Sequence, residues 1–142
     1  MRDLMNNIHT INTIPPIAAR TDNTAITSTI IDTQGYGSLT FALLIGTNTD
    51  ANATFAVTMA ESADSGMSGS NAVAAADLVG TLALAGYQYD DDTESRKIGY
   101  IGNKRYVQLT ITPTGNDSGN IFIAGVAILG HPMRRATANP PQ

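Results

Sequence analysis

Lys104-Arg105-Tyr106-Val107-Gln108-Leu109-Thr110-Ile111-Thr112 is the stretch whose reading decides the fold. Arg105, Val107, Leu109 and Ile111 alternate with Lys104, Tyr106, Gln108, Thr110 and Thr112, the two-residue period of a strand with one face in a core. A helix would instead repeat its apolar residues at three and four. Gly102-Asn103 ahead of the stretch marks a turn. Pro113 behind it has no amide N–H for a ladder and is expected to end the strand.

Working outward, residues 115–120 (Gly-Asn-Asp-Ser-Gly-Asn) read as a turn, and residues 121–129 as a last strand. Ile121, Ile123, Val126, Ala127, Ile128 and Leu129 make it apolar on both sides, as in a central strand or one covered by another subunit. Upstream, residues 25–32, 38–45, 53–60, 82–89 and 96–101 carry β-branched and aromatic residues between Gly, Asn, Asp and Ser, and are expected as strands. Residues 61–71 read as a long exposed loop, and residues 72–78 as either a helical turn or a strand. About eight strands in a chain of one-domain length predict an all-β fold: a single two-sheet β-sandwich, jelly-roll-like.

The ends depart from this pattern. Ile8, Ile11, Ile14 and Ile17 recur every third residue, with Pro15 and Pro16 inside the run, which matches neither strand nor helix. Residues 1–20 are therefore expected as an extended N-terminal arm, residues 21–131 as the sandwich, and residues 132–142 as an extended tail holding Arg134, Arg135, Pro140 and Pro141. The arm's isoleucines either fold back on their own domain or dock into a neighbour. On the docking reading, removal of residues 1–17 leaves the strand core folded. The two arginines are either solvated or paired with an acidic partner surface.

Composition restricts function. Only 14% of the 142 residues are charged while 42% are hydrophobic, so the surface is largely Thr, Asn, Ser and Gly, which is buried against a partner at low desolvation cost. This predicts assembly, including self-association. A net charge of -4 with 8 Lys and Arg argues against direct nucleic-acid binding. With no Cys, there are no disulfides and no thiolate ligands or nucleophiles. The N-terminus has no apolar stretch of a secretory signal, and no segment reaches the roughly 20 apolar residues of a membrane span.

Chemistry-bearing patterns are few. His9 and His131 stand at opposite ends without metal-ligand spacing. Asp90, Asp92 and Glu94 mimic the start of a calcium loop, but Ser95 and Ile101 stand where Gly and Glu are needed, so a solvated turn is expected. No serine lies in a nucleophile elbow, and no phosphate-binding glycine loop occurs. Neither an enzyme nor any cofactor is expected. Tyr87, Tyr89, Tyr100 and Tyr106 are either core packing or a contact patch.

Residues 96–111 (Arg-Lys-Ile-Gly-Tyr-Ile-Gly-Asn-Lys-Arg-Tyr-Val-Gln-Leu-Thr-Ile), the Leu129-Gly130-His131-Pro132 ending and the closing Asn139-Pro140-Pro141 resemble small virion proteins of tailed bacteriophages and prophages. Thr21-Asp22-Asn23-Thr24-Ala25 and Gly35-Tyr36-Gly37-Ser38-Leu39-Thr40 resemble the corresponding opening, so the likeness runs over most of the chain. The resemblance implies a capsid cement or decoration protein, made in the host bacterial cytoplasm. Such a protein sits on the outer capsid surface of the virion and clamps adjacent subunits of the major capsid protein. Its partners are then the major capsid protein and further copies of itself, as a homo-oligomer with a dimer favoured and a trimer the alternative. The alternatives are a receptor- or glycan-binding head-fibre module, or a tail or neck component.

Overall fold

Strand β10, Tyr106–Thr114, carries the deciding stretch and buries Val107, Leu109 and Ile111 completely. The computed structural model describes residues 3–139. The other strands are β1 (Ile8–Ile14), β2 (Ile26–Thr27), β3 (Ile31–Asp32), β4 (Tyr36–Asn48), β5 (Thr54–Ser62), β6 (Asn71–Ala72), β7 (Leu78–Val79), β8 (Tyr87–Gln88), β9 (Ser95–Tyr100) and β11 (Ile121–Pro132). One helical turn, α1 (Leu82–Ala85), and two 3-10 turns complete the described residues.

All pairings are antiparallel, in two sheets. The first runs β1-β11-β4-β9-β7; the second runs β2-β10-β5-β6, with β3 also on β10 and β8 also on β5. Taking β2 with β3 and β6 with β8 as interrupted strands, and leaving β7 as a short edge, eight strands remain. In chain order they fall in the first, second, first, second, second, first, second and first sheet, the order of a jelly roll. Inward residues of both sheets share one core, with Phe41, Phe55, Leu43, Ile98, Leu109, Ile111 and Leu129 among its largest members.

The expected arm is not an arm at residues 8–14. Residues 8–14 are β1, the edge strand of the first sheet, and Ile14 is 1% exposed in the core. The sandwich thus begins at Ile8 and not at residue 21. The three-residue spacing of the isoleucines has a physical origin. His9 and Ile11 face inward two apart, the register then shifts between Asn12 and Ile14, and the extra residue Thr13 returns Ile14 to the core. The open flank of β1 is blunted at both ends. Thr137 Oγ1 donates to Ile8 O near its start, and Thr29 N donates to Thr13 O near its end, at 3.0 Å.

Other boundaries shift for local reasons. Residues 25–32 form two short pieces because Ser28 bulges inward: its N–H donates to Leu109 O at 2.8 Å and its Oγ accepts from Leu109 N at 3.0 Å. Residues 82–89 are not one strand. Thr81 Oγ1 accepts from Leu84 N at 3.2 Å and caps α1, whose Ala85 is fully buried, and β8 follows. Pro113 does not end β10; it pairs with Phe55 beyond Ile111, where β2 has stopped and that flank of the strand has no partner. Arg105 lies outside β10 and points away from the core, its guanidinium on Asp32 at 2.6 and 2.8 Å. Residues 72–78 contain both alternatives, the end of β6, a 3-10 turn at Ala75–Asp77 and the start of β7.

Candidate interaction surfaces

Among the described residues, large apolar side chains are exposed in two places that concern function. The first is the end of the sandwich where residues 3–8 meet residues 133–137. The 3-10 turn Met5–Asn7 is pinned by Asp3, whose carboxylate accepts from Asn6 N at 3.1 Å and Asn6 Nδ2 at 2.6 Å. The Asn6 side-chain hydrogen bond, then the Asn6 amide, hold the Asp3 carboxyl below the usual carboxylate range. The tail crosses this turn: Thr137 N donates to Asn6 O at 3.4 Å, and Met133 N donates to Gly35 O at 2.9 Å. Between turn, tail and sheet lies a groove of about 970 Å³, lined by Leu4, Asn7, Ile8, Ser38, His131 and Arg135 among others. Leu4 is 66%, Met5 61% and Met133 85% exposed around it.

The structure treats the expected site residues unequally. Ile8 is half-buried in the groove wall, Ile11 packs against the core and Ile14 lies within it. Pro15, Pro16 and Ile17 are exposed at the opposite end of β1, so the four isoleucines do not form one docking row. Arg134 and Arg135 are exposed, and neither is in an ion pair among the described residues. Pro140 and Pro141 lie outside the described residues. Sequence reading missed Leu4, Met5 and Met133; the available signal was a large apolar residue on either side of a polar turn.

The second place is the outer face of the first sheet. The rows across it are Asn12-Val126-Ala42-Lys97, Thr10-Ile128-Thr40-Gly99 and Ala124-Leu44-Ser95, followed by Phe122 over Gly46. Leu44 is 50% and Phe122 51% exposed, whereas Ala42, Ala124 and Val126 are half-buried. The apolar last strand is therefore central in its sheet and still presents an apolar outer row. The outer face of the second sheet has a different character, with Thr27, Thr58, Thr110, Thr112, Thr114 and Thr54 along β2, β5 and β10.

The remaining polar groups hold loops in place. Asp50, buried between two turns, accepts from Ser118 N at 2.9 Å, Ser118 Oγ at 3.2 Å, Asp117 N at 3.1 Å and Asn52 N at 3.3 Å. These donors, the Ser118 amide first, keep its carboxyl below the usual range. In the acidic stretch, Arg96 bridges Asp91 at 2.9 Å and Glu94 at 2.8 Å, while Asp92 accepts from Asn48 N at 2.8 Å. Tyr87 stacks on Phe55 at 4.3 Å, and Tyr100 donates to Glu61 at 2.6 Å; both rings are buried, so the tyrosines form no shared patch. Burial pushes both hydroxyls well above the usual tyrosine range, with Glu61 adding to it at Tyr100. Ser62, Asp64 and Ser68 hydrogen-bond within the loop of residues 63–70, giving it a defined course.

No family model matches the chain, and no curated protein matches it. Solved structures match over most of its length at low identity. A family two carbohydrate esterase from Cellvibrio japonicus is similar at 14% identity and a TM-score of 0.39, covering 92% of this chain and 36% of that one. Dimeric latent PorU from Porphyromonas gingivalis gives 9% identity, a TM-score of 0.42 and coverages of 87% and 13%. An endo-1,4-beta-D-xylanase 10B from Clostridium thermocellum, comprising CBM22-1 and GH10 modules complexed with xylohexaose, gives 16%, 0.40, 95% and 28%. The chain spans about a third of these proteins or less.

Proposed function

We propose that this chain is a structural virion protein that binds the outside of a phage head and clamps adjacent major-capsid subunits through the end of the sandwich where residues 3–8 meet residues 133–137. The observation that carries the reading is the convergence there of both terminal segments, with Leu4, Met5 and Met133 exposed beside Arg134 and Arg135. The sequence resemblance to phage virion proteins supplies the identity of the partner. Each large apolar side chain fully buried against the shell contributes about 1.5–3 kcal/mol before ordering costs. The arginines add a screened attraction to shell carboxylates.

The mechanism is linkage. A protein that binds the expanded lattice and not the separated subunits lowers the free energy of the shell by an amount set by its affinity and free concentration. Repetition over a symmetric lattice makes individually modest contacts resist internal pressure. No bond is made or broken.

The test mixes the purified chain with expanded heads lacking it and measures co-sedimentation. The intact chain is expected to saturate the heads. L4D/M5D is expected to bind at least about tenfold more weakly, a loss of about 1.4 kcal/mol. R134A/R135A is expected to lose less, and only at low salt. An intact chain that stays in the supernatant, or an L4D/M5D variant that decorates as well as the parent, overturns the proposal.

A further inference from the structure

We infer that the outer face of the first sheet, centred on Ala42, Leu44, Phe122, Ala124 and Val126, is a twofold interface between two copies of this chain. The inference is independent of the capsid reading. Its observations are shape, charge and area.

The face is stepped. Leu44 and Phe122 stand half-exposed, while Ala42 and Ala124 beside them are small and half-buried. Gly46 cannot carry a side chain, because a Cβ there would meet Phe122 Cβ at 2.9 Å. In an isologous contact each surface patch meets its own copy, and a twofold axis running along the strands between β4 and β11 exchanges the two, so Leu44 of one molecule seats over Ala124 of the other. Sheets stacked in this way sit about 10 Å apart, a distance bridged by side chains of this size.

Charge selects the occupant. The chain as a whole carries -4, yet the rows of this face contain no acid and a single cation, Lys97, at the β9 margin. The acidic turn borders the Gly46 side of the face, where Thr93 N approaches Gly46 O at 3.5 Å and Asp92 accepts from Asn48 N at 2.8 Å, so its charge stands at the rim and outside the rows. A centre without charge brings no like-charge repulsion when apposed to itself, whereas a strongly charged partner would find no counter-charges there. The second sheet's outer face offers threonine hydroxyls instead of an apolar step and has no such self-complementarity.

Area sets the strength. Four strands at about 4.8 Å spacing and about eight residues at about 3.3 Å give about 500 Å² per copy. That is about 1,000 Å² in total, at the lower boundary of specific interfaces. The dimer is therefore concentration-dependent.

Sedimentation equilibrium of the full chain without heads tests this. The parent is expected to pass from monomer to dimer with rising concentration. L44D, which places like charges across the axis on an exposed position, is expected to weaken dimerisation at least about tenfold while thermal melting stays cooperative. Because the chain has no cysteine, A42C reports position directly: a bismaleimide spanning about the 10 Å sheet spacing is expected to yield covalent dimers, and T58C on the opposite sheet is expected to yield none. A parent that stays monomeric at millimolar concentration, a trimeric mass, an L44D variant that dimerises like the parent, or cross-linking at T58C in place of A42C would overturn the inference. Failure of head binding leaves it standing, and its failure leaves head binding standing.

Discussion

Ile14→Ala and Ile17→Ala, three residues apart in one run of isoleucines, are expected to differ in effect because only the first belongs to the core. Ile14 is 1% exposed and Ile17 75%. Truncating Ile14 removes the transfer free energy of its methyl and methylene groups and leaves a cavity. Gly125 lies beneath it so closely that a Cβ there would meet Ile14 side-chain atoms at 3.1 Å, so backbone and not a mobile side chain borders the space. Such sites collapse poorly, which places the cost at about 2–5 kcal/mol. In a domain of this size that corresponds to a Tm lowered by about 3 °C per kcal/mol, hence about 6–15 °C. Ile17→Ala is expected within about 0.5 kcal/mol of the parent. Urea unfolding followed by circular dichroism, with calorimetry alongside, measures both. Removal of residues 1–17, which the extended-arm reading expects to leave the core intact, deletes β1 entirely and is expected to abolish cooperative unfolding. A truncated chain that melts cooperatively near the parent's Tm, or equal small effects at Ile14 and Ile17, would refute the assignment of residues 8–14 to the sheet.

Three further outcomes follow from the loops. Asp50 has a folded pKa below its unfolded value, so its stabilisation is fully present above about pH 4 and is lost as pH falls through the folded value. Tm measured from pH 6 down to pH 2.5 should therefore decline less steeply in D50N, which starts lower. A Cβ at Gly119 would lie 2.6 Å from Asp50 N and 2.8 Å from Asp50 Cα, so Gly119→Ala should cost about 2–3 kcal/mol in urea unfolding by forcing these turns apart. Tyr100→Phe strips Glu61 of its donor at 2.6 Å and Lys104 N of its acceptor at 2.9 Å and should cost about 1–3 kcal/mol, read as a shift in the urea midpoint at unchanged slope.

The two-residue period of residues 104–112 determined, without help from the structure, that this chain folds as strands with one buried face. Repeats of that period between Gly, Asn and Asp turns then determined a two-sheet sandwich. These features are legible because a strand's inward residues are written locally, two apart, whatever the strand later pairs with. The low charge is likewise read directly from the sequence, as a surface made largely of small neutral polar groups. Residues 8–14 show where local reading stops. Their spacing of three is a strand plus one bulge, and a bulge exists only relative to a partner, here β11, more than a hundred residues away in sequence. Pro113 sits inside β10 for a similar reason, since only the arrangement of neighbours decides which flank lacks a strand. The same holds for the interaction surfaces. Met5 and Asn6 meet Thr137, and Leu44 lies beside Ala124, through pairings that close long loops, so the convergence of the two terminal segments and the apolar outer row arise only when the sheets assemble.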